Sequence, residues 1–175
     1  MGSNLKFFLN KNRTKHSVGN VTTSLPIRTF INGAKVVEDE GVDNYSLVEL
    51  NYVNGVPEVK YATSSATAEN VFLTVTPVQV LEQFGEYISD FYNTKGDLAN
   101  IAYLPQGFSF QTSNMADVEN VEVGNYVVWD TTDNTFVVKA TPTSTDVKVF
   151  QVRETESEEN FVINGLTLVE LIVVR

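Results

Sequence analysis

The sequence predicts a mainly β protein of the α+β kind, with an extended N-terminal arm, β-hairpins around one central helix, and a small C-terminal β-barrel or sandwich. Three observations lead there. From "RTFINGAKVV" onward, short apolar runs alternate with Asn-Gly pairs and polar turns, the pattern of strands joined by hairpins. One stretch, beginning at Thr76, instead repeats its apolar residues at three- and four-residue steps. Residues 1–26 are rich in Asn, Thr, Ser, Lys and Arg with little apolar periodicity, the composition of a segment without a core of its own. The resulting organisation is a basic arm over 1–26, a β-hairpin region over 27–115 with a helix over 77–93, and a C-terminal β module over 116–175.

Within the arm, the cluster Leu5, Phe7, Phe8, Leu9 is the apolar exception. The next segment contains Asn32-Gly33 and Asn54-Gly55, pairs that accept the positive φ values of a tight type I′ turn, so each predicts a hairpin. The second joins "YSLVELNYV" to "VPEVKYA", where Pro57, lacking an amide donor, belongs at a strand start or on a sheet edge. "VFLTV" reads as a further strand. Thr76 then supplies a helix cap, Pro77 suits the first helical position, and Gln79 completes a capping box. Val80, Leu81, Phe84, Tyr87, Ile88 and Phe91 would share the buried face, with the stop near Asn93 and Gly96 beyond it. In the last third, "VEVGNYVVWD" and "TFVVKA" flank "TTDN", and "DVKVFQV" and "LTLVELIVV" flank an acidic stretch and an Asn-Gly pair, predicting two more hairpins. The last strand runs to Val174, which predicts a C-terminus paired within the sheet.

Composition bounds what such a chain does. At 175 residues, 42% hydrophobic and 19% charged, it is long enough for a real core and is not of disordered composition. It has no cysteine, which excludes disulfides and thiolate metal sites. The N-terminus lacks a signal-peptide pattern and no run approaches the apolar length of a membrane span, which predicts neither secretion nor a membrane partner. Charge is segregated: Lys6, Lys11, Arg13, Lys15, Arg28 and Lys35 all precede the first acid, Glu38, although the net charge is -10.

No catalytic constellation emerges. The single histidine, His16, lies in the arm among Lys, Arg and Ser, and reads as a solvated residue rather than a general base or metal ligand. The ten glycines form no phosphate loop. Carboxylates abound, but abundance alone does not make a glycosidase pair. "EDEGVD" (Glu38, Asp39, Glu40, Asp43) and "DTTDN" (Asp130, Asp133, Asn134) gather oxygen ligands without calcium-loop spacing, so polar hairpin ends are the simpler reading. Trp129, Tyr126 and Phe136 sit at strand spacing, where alternation sends Trp129 or Phe136 into a core rather than toward a sugar. The acidic body would repel nucleic acid. The expectation is a non-enzyme with no catalytic residue, metal site or cofactor.

The closing "VEVGNYVVWDTTDNTFVVKA" together with "FVINGLTLVELIVVR" resembles the auxiliary head proteins of tailed bacteriophages, those that decorate or cement capsids. The resemblance covers the last third of the chain and, more loosely, its general layout; the basic arm has no counterpart motif. It implies a virion structural protein, assembled in the host cytoplasm, that binds the shell of major capsid protein or other virion proteins, with a head-fibre or tail accessory module binding a receptor or carbohydrate as the alternative. The residues themselves point to assembly as well. A coreless arm gains order on a partner. Leu5, Phe7 and Phe8 would supply apolar contact, and Lys11, Arg13 and Lys15 would complement an acidic surface, including the body of the next copy in a homo-oligomer.

Overall fold

The computed structural model describes residues 16–23, 25, 30–78, 91–155, 162–163 and 166–175. They form thirteen strands: β1 (Gly19–Val21), β2 (Phe30–Val36), β3 (Leu47–Val53), β4 (Val56–Tyr61), β5 (Val71–Thr74), β6 (Leu98–Tyr103), β7 (Ser109–Thr112), β8 (Tyr126–Asp130), β9 (Thr135–Val138), β10 (Val149–Thr155), β11 (Val162–Ile163), β12 (Leu166–Thr167) and β13 (Val169–Val173). Five of them close into a barrel in the order β2-β4-β3-β5-β6, and six form an open sheet in the order β1-β7-β13-β10-β8-β9. The fold is therefore mainly β, a five-stranded barrel beside a sheet.

The two halves share one wall. Residues of β3, β5 and β6 are buried on both faces: Val48, Leu50, Phe72 and Ile101 pack inside the barrel with Ala34, Val36, Val59 and Ala99. Their neighbours Leu47, Val71, Leu73 and Ala102 turn the other way, onto Phe110, Val127, Phe136, Phe150 and Leu171 of the sheet. Doubly buried strands need continuous apolar runs, which explains "SLVEL", "VFLT" and "NIAYL". Three phenylalanines anchor the sheet side, with Phe136–Phe150 ring centroids 5.3 Å apart and Phe110–Phe150 5.7 Å apart, both edge to face.

The Asn54-Gly55 turn forms as expected: φ is 51° at Asn54 and 81° at Gly55, and Val53 pairs with Val56. Pro57 lies just before Glu58, the first β4 residue to pair with β2, so no ladder bond is lost. Asn32-Gly33 does not turn the chain. It lies inside β2, where Gly33 takes φ 88° and the register against β6 shifts between Asn32 and Ala34. That glycine serves a β-bulge at the closing seam of the barrel, because β2 pairs with the distant β6 and β4 rather than with the adjoining stretch of chain.

The two C-terminal hairpins form as expected, β8 with β9 and β10 with β13, and the end of the chain is paired through Val149 N–H to Arg175 O at 3.0 Å. They do not close into a barrel or sandwich of their own. Their apolar face is covered by the outer wall of the central barrel, which makes a second C-terminal sheet unnecessary.

The central helix expected over 77–93 falls mainly on residues that the structure does not describe, 79–90, and its described ends are not helical. Among the described residues the only helical turn is a 3₁₀ turn at Val118–Asn120. Thr76, expected to cap a helix, instead donates its hydroxyl to Asn93 Oδ1 (2.7 Å) and accepts from Asn100 N–H (3.0 Å). Asn93, expected at the helix end, makes a two-bond backbone bridge with Val42 and donates Nδ2 to Val42 O at 3.0 Å. Asn44 completes the set, exchanging two bonds with the Thr76 backbone. Asn44 and Asn93 are both buried, and this bonding satisfies the polar groups at the barrel end.

Candidate interaction site at the root of the arm

Leu5, Phe7, Phe8, Lys11, Arg13 and Lys15 all lie outside the described residues, so the structure assigns none of them a position. It does place the residues that follow them in the chain, His16 to Thr22. His16 is not a freely solvated residue. Its Nδ1 is 2.7 Å from Asp43 Oδ1, and its ring stacks on Tyr92 with centroids 4.2 Å apart and planes 19° apart. The other carboxylate oxygen of Asp43 accepts the Ser17 amide (3.2 Å) and hydroxyl (3.0 Å). Sequence offers no signal for this, because the acid that holds His16 is 27 residues away and reads locally as part of a polar turn.

Gly41 makes room for the clasp. At φ 82° it takes a conformation that side chains rarely adopt, and a Cβ there would lie 2.6 Å from Asn93 O and 2.8 Å from the Tyr92 ring. Asp43 is fixed from behind by its own amide, which donates to the Tyr61 hydroxyl at 3.0 Å. Burial, with the charges of Asp43 and Glu38, pushes the Tyr61 phenol up to about 12 even though the Asp43 amide bond opposes the shift.

Beyond the clasp the chain enters the sheet. Val18 is buried, its amide donates to Ser113 Oγ (2.9 Å), and its carbonyl accepts from Ser113 N–H (2.8 Å). β1 then pairs antiparallel with β7, Asn20 opposite Gln111 and Val21 opposite Phe110. Gly19 is obligatory: a Cβ there would sit 2.1 Å from Gln111 O and 2.6 Å from the Tyr45 ring. At the far end, Thr22 donates its amide to Ser109 O (3.1 Å) and its hydroxyl to Glu170 Oε1 (2.6 Å). Among the described residues, a cleft of about 280 Å³ opens beside this segment, between Ser17–Gly19 and Asn44, Tyr45 and Thr76–Val78.

The chemistry of this arrangement is that of holding a peptide. Ser17 and His16 both lean on Asp43, so the hydroxyl does not face the base that a serine nucleophile requires. The acidic loops are occupied otherwise: Asp39 pairs with Lys95, Asp43 holds the clasp, and Asp130 accepts the Thr132 amide at 2.7 Å in its turn. Among the described residues no group of three or more His, Cys, Asp or Glu is placed to hold a metal ion.

The aromatic residues are mostly spent on packing. Trp129 donates Nε1–H to Ala62 O (3.1 Å) and packs edge to face on Phe136 at 5.0 Å. Tyr103 packs on Phe72, with the buried Lys148 ammonium 5.3 Å from its ring centroid. Lys148 donates to Leu104 O (3.0 Å), and burial holds its ammonium below the usual lysine range. Tyr126 is exposed. No helix among the described residues is long and apolar enough to cross a membrane.

Comparison with known protein families matches residues 12–171 to the family described as YonC prophage protein. No curated protein matches the chain. The family match takes in His16, Asp43 and every strand from β1 to the first three residues of β13, and it starts after Leu5, Phe7, Phe8 and Lys11. Spanning well over half of the sequence, it gives the phage connection that the C-terminal third suggests: the chain belongs to the YonC prophage protein family.

Proposed function

We propose that this is a non-enzymatic structural protein of the phage virion, an auxiliary or decoration protein of the capsid. It attaches to major capsid protein, and to neighbouring copies of itself, through the segment N-terminal to His16. The observation that carries the reading is the root itself. The chain is pinned at His16, Ser17, β1 and Thr22 by contacts to residues 26 to 148 positions away, so a partner held by residues 1–15 is coupled mechanically to the whole body. Leu5, Phe7 and Phe8 provide the apolar contact, and Lys11, Arg13 and Lys15 the charge that complements an acidic surface. Membership in a prophage family supports the phage setting.

Deleting residues 2–15, which leaves the clasp intact, tests this. The shortened chain is expected to keep its melting temperature and to lose association with capsids measured by co-sedimentation. Unchanged capsid binding by the folded, shortened chain overturns the proposal.

A further inference from the structure

The groove that receives β1 has the properties of a peptide acceptor. Its walls come from Asp43, Tyr45, Ser109, Gln111, Ser113 and Glu170, none of which is near residues 16–22 in sequence. Recognition reads side chains at three points and the backbone at a fourth. Asp43 takes the paired imidazole and hydroxyl of His-Ser, Ser113 takes both backbone groups of Val18, the Gln111–Tyr45 gap admits only Gly19, and Glu170 takes the Thr22 hydroxyl.

The bound segment can also open locally. Among the described residues β1 is the first strand, three residues long, and lies at the outer position of its sheet beside β7 alone. No residue of β1 itself is fully buried, and of residues 16–22 only Ser17 and Val18 are. Opening it breaks a short edge ladder without disturbing β7, β13 and β10 behind it, the kind of local opening that lies well below global unfolding in free energy. An opened groove leaves the β7 edge with unpaired backbone groups, and an edge of that sort recruits a strand of matching sequence.

We infer that the groove accepts residues 16–22 of a second copy, so that neighbouring molecules exchange β1 in the same register as the one seen within the chain. The occupant is the segment for which every contact is already built, and swapping identical elements makes no new interface chemistry necessary. This rests on the reading of the protein as one that assembles with its own copies. In dilute solution the tethered segment has the higher effective concentration and closes its own groove; on a crowded shell, copies compete for one another.

The absence of cysteine makes a clean test available. Asn20 and Gln111 are Cα partners across β1 and β7, within reach of a disulfide when both are cysteine. A double variant, N20C/Q111C, is expected to close internally, which verifies folding and register. The single variants N20C and Q111C, one of them labelled with nitrogen-15, are then mixed, concentrated and oxidised, and the linked peptides are read by mass spectrometry. Exchange predicts a labelled–unlabelled 20–111 linkage whose yield rises with concentration. If the double variant closes internally and the mixture yields no such linkage at any concentration, exchange is overturned. Light scattering on the same mixture separates the two ideas: association without the linkage leaves assembly standing and removes only strand exchange.

Discussion

The Tyr61 hydroxyl accepts the backbone amide of Asp43, the residue that grips His16 and Ser17, so a barrel strand braces the clasp at His16 and Ser17. Its phenol, pushed up to about 12 from 10.0, stays protonated in the folded state where the unfolded chain would ionise. A folded pKa above the unfolded one gives stability that is complete below pH 10 and is lost as pH rises toward 12. After allowance for its partial exposure, the loss should be about 1–2 kcal/mol. Tyr61→Phe is expected to flatten that alkaline decline in urea titrations, at a cost of about 1 kcal/mol near neutral pH from the missing acceptor. An identical alkaline slope in both proteins would show that some other group is responsible.

The acid limb has a different source. Burial pushes the Glu49 carboxyl up, but the Thr63 hydroxyl (2.7 Å) and amide (3.2 Å) and the Lys60 ammonium (3.2 Å) more than offset this and hold it below its ordinary 4.5. A depressed carboxylate contributes stability that is present above 4.5 and lost as pH falls through the folded value. Glu49→Gln should cost about 1–3 kcal/mol at pH 7, the range for a buried charge-assisted bond, and this difference should shrink toward pH 3. Melting temperatures of both proteins across that range check it; a pH-independent difference would contradict the assignment.

Gly19→Ala places a methyl group against backbone, where no flexible side chain can move aside. The expected cost is about 1–3 kcal/mol from overpacking, more than the roughly 0.4–1 kcal/mol that a stiffer unfolded chain returns. The damage should be local. Hydrogen exchange at the Ser113 and Thr22 amides, which close the β1–β7 ladder, is expected to accelerate while the Val173 amide, bonded to Phe108 O inside the sheet, does not. Unchanged protection at Ser113 would mean that β1 tolerates the methyl group.

Local chemistry decides which elements are legible in the sequence. Asn54-Gly55 can be read because its turn depends on two adjacent residues, and the β8–β9 hairpin because its strands flank its own loop. Asn32-Gly33 carries the same letters, yet the partner of β2 is β6, more than sixty residues on, and long-range pairing turns the glycine into a bulge. Thr76 reads locally as a helix cap, whereas its hydroxyl serves Asn93 and Asn100. The clasp is invisible for the same reason: nothing near His16 in sequence reveals Asp43 or Tyr92. Tertiary hydrogen bonds and packing override local preference wherever the partner is distant.

The seam between barrel and sheet passes through the only tryptophan in the chain. Because the Trp129 indole is bonded to Ala62 on the barrel side while its ring rests on Phe136 of the sheet, its emission colour is a built-in gauge of that seam. A blue spectrum marks the two halves as closed, and a red shift that precedes the loss of β circular dichroism would mark them parting before either melts.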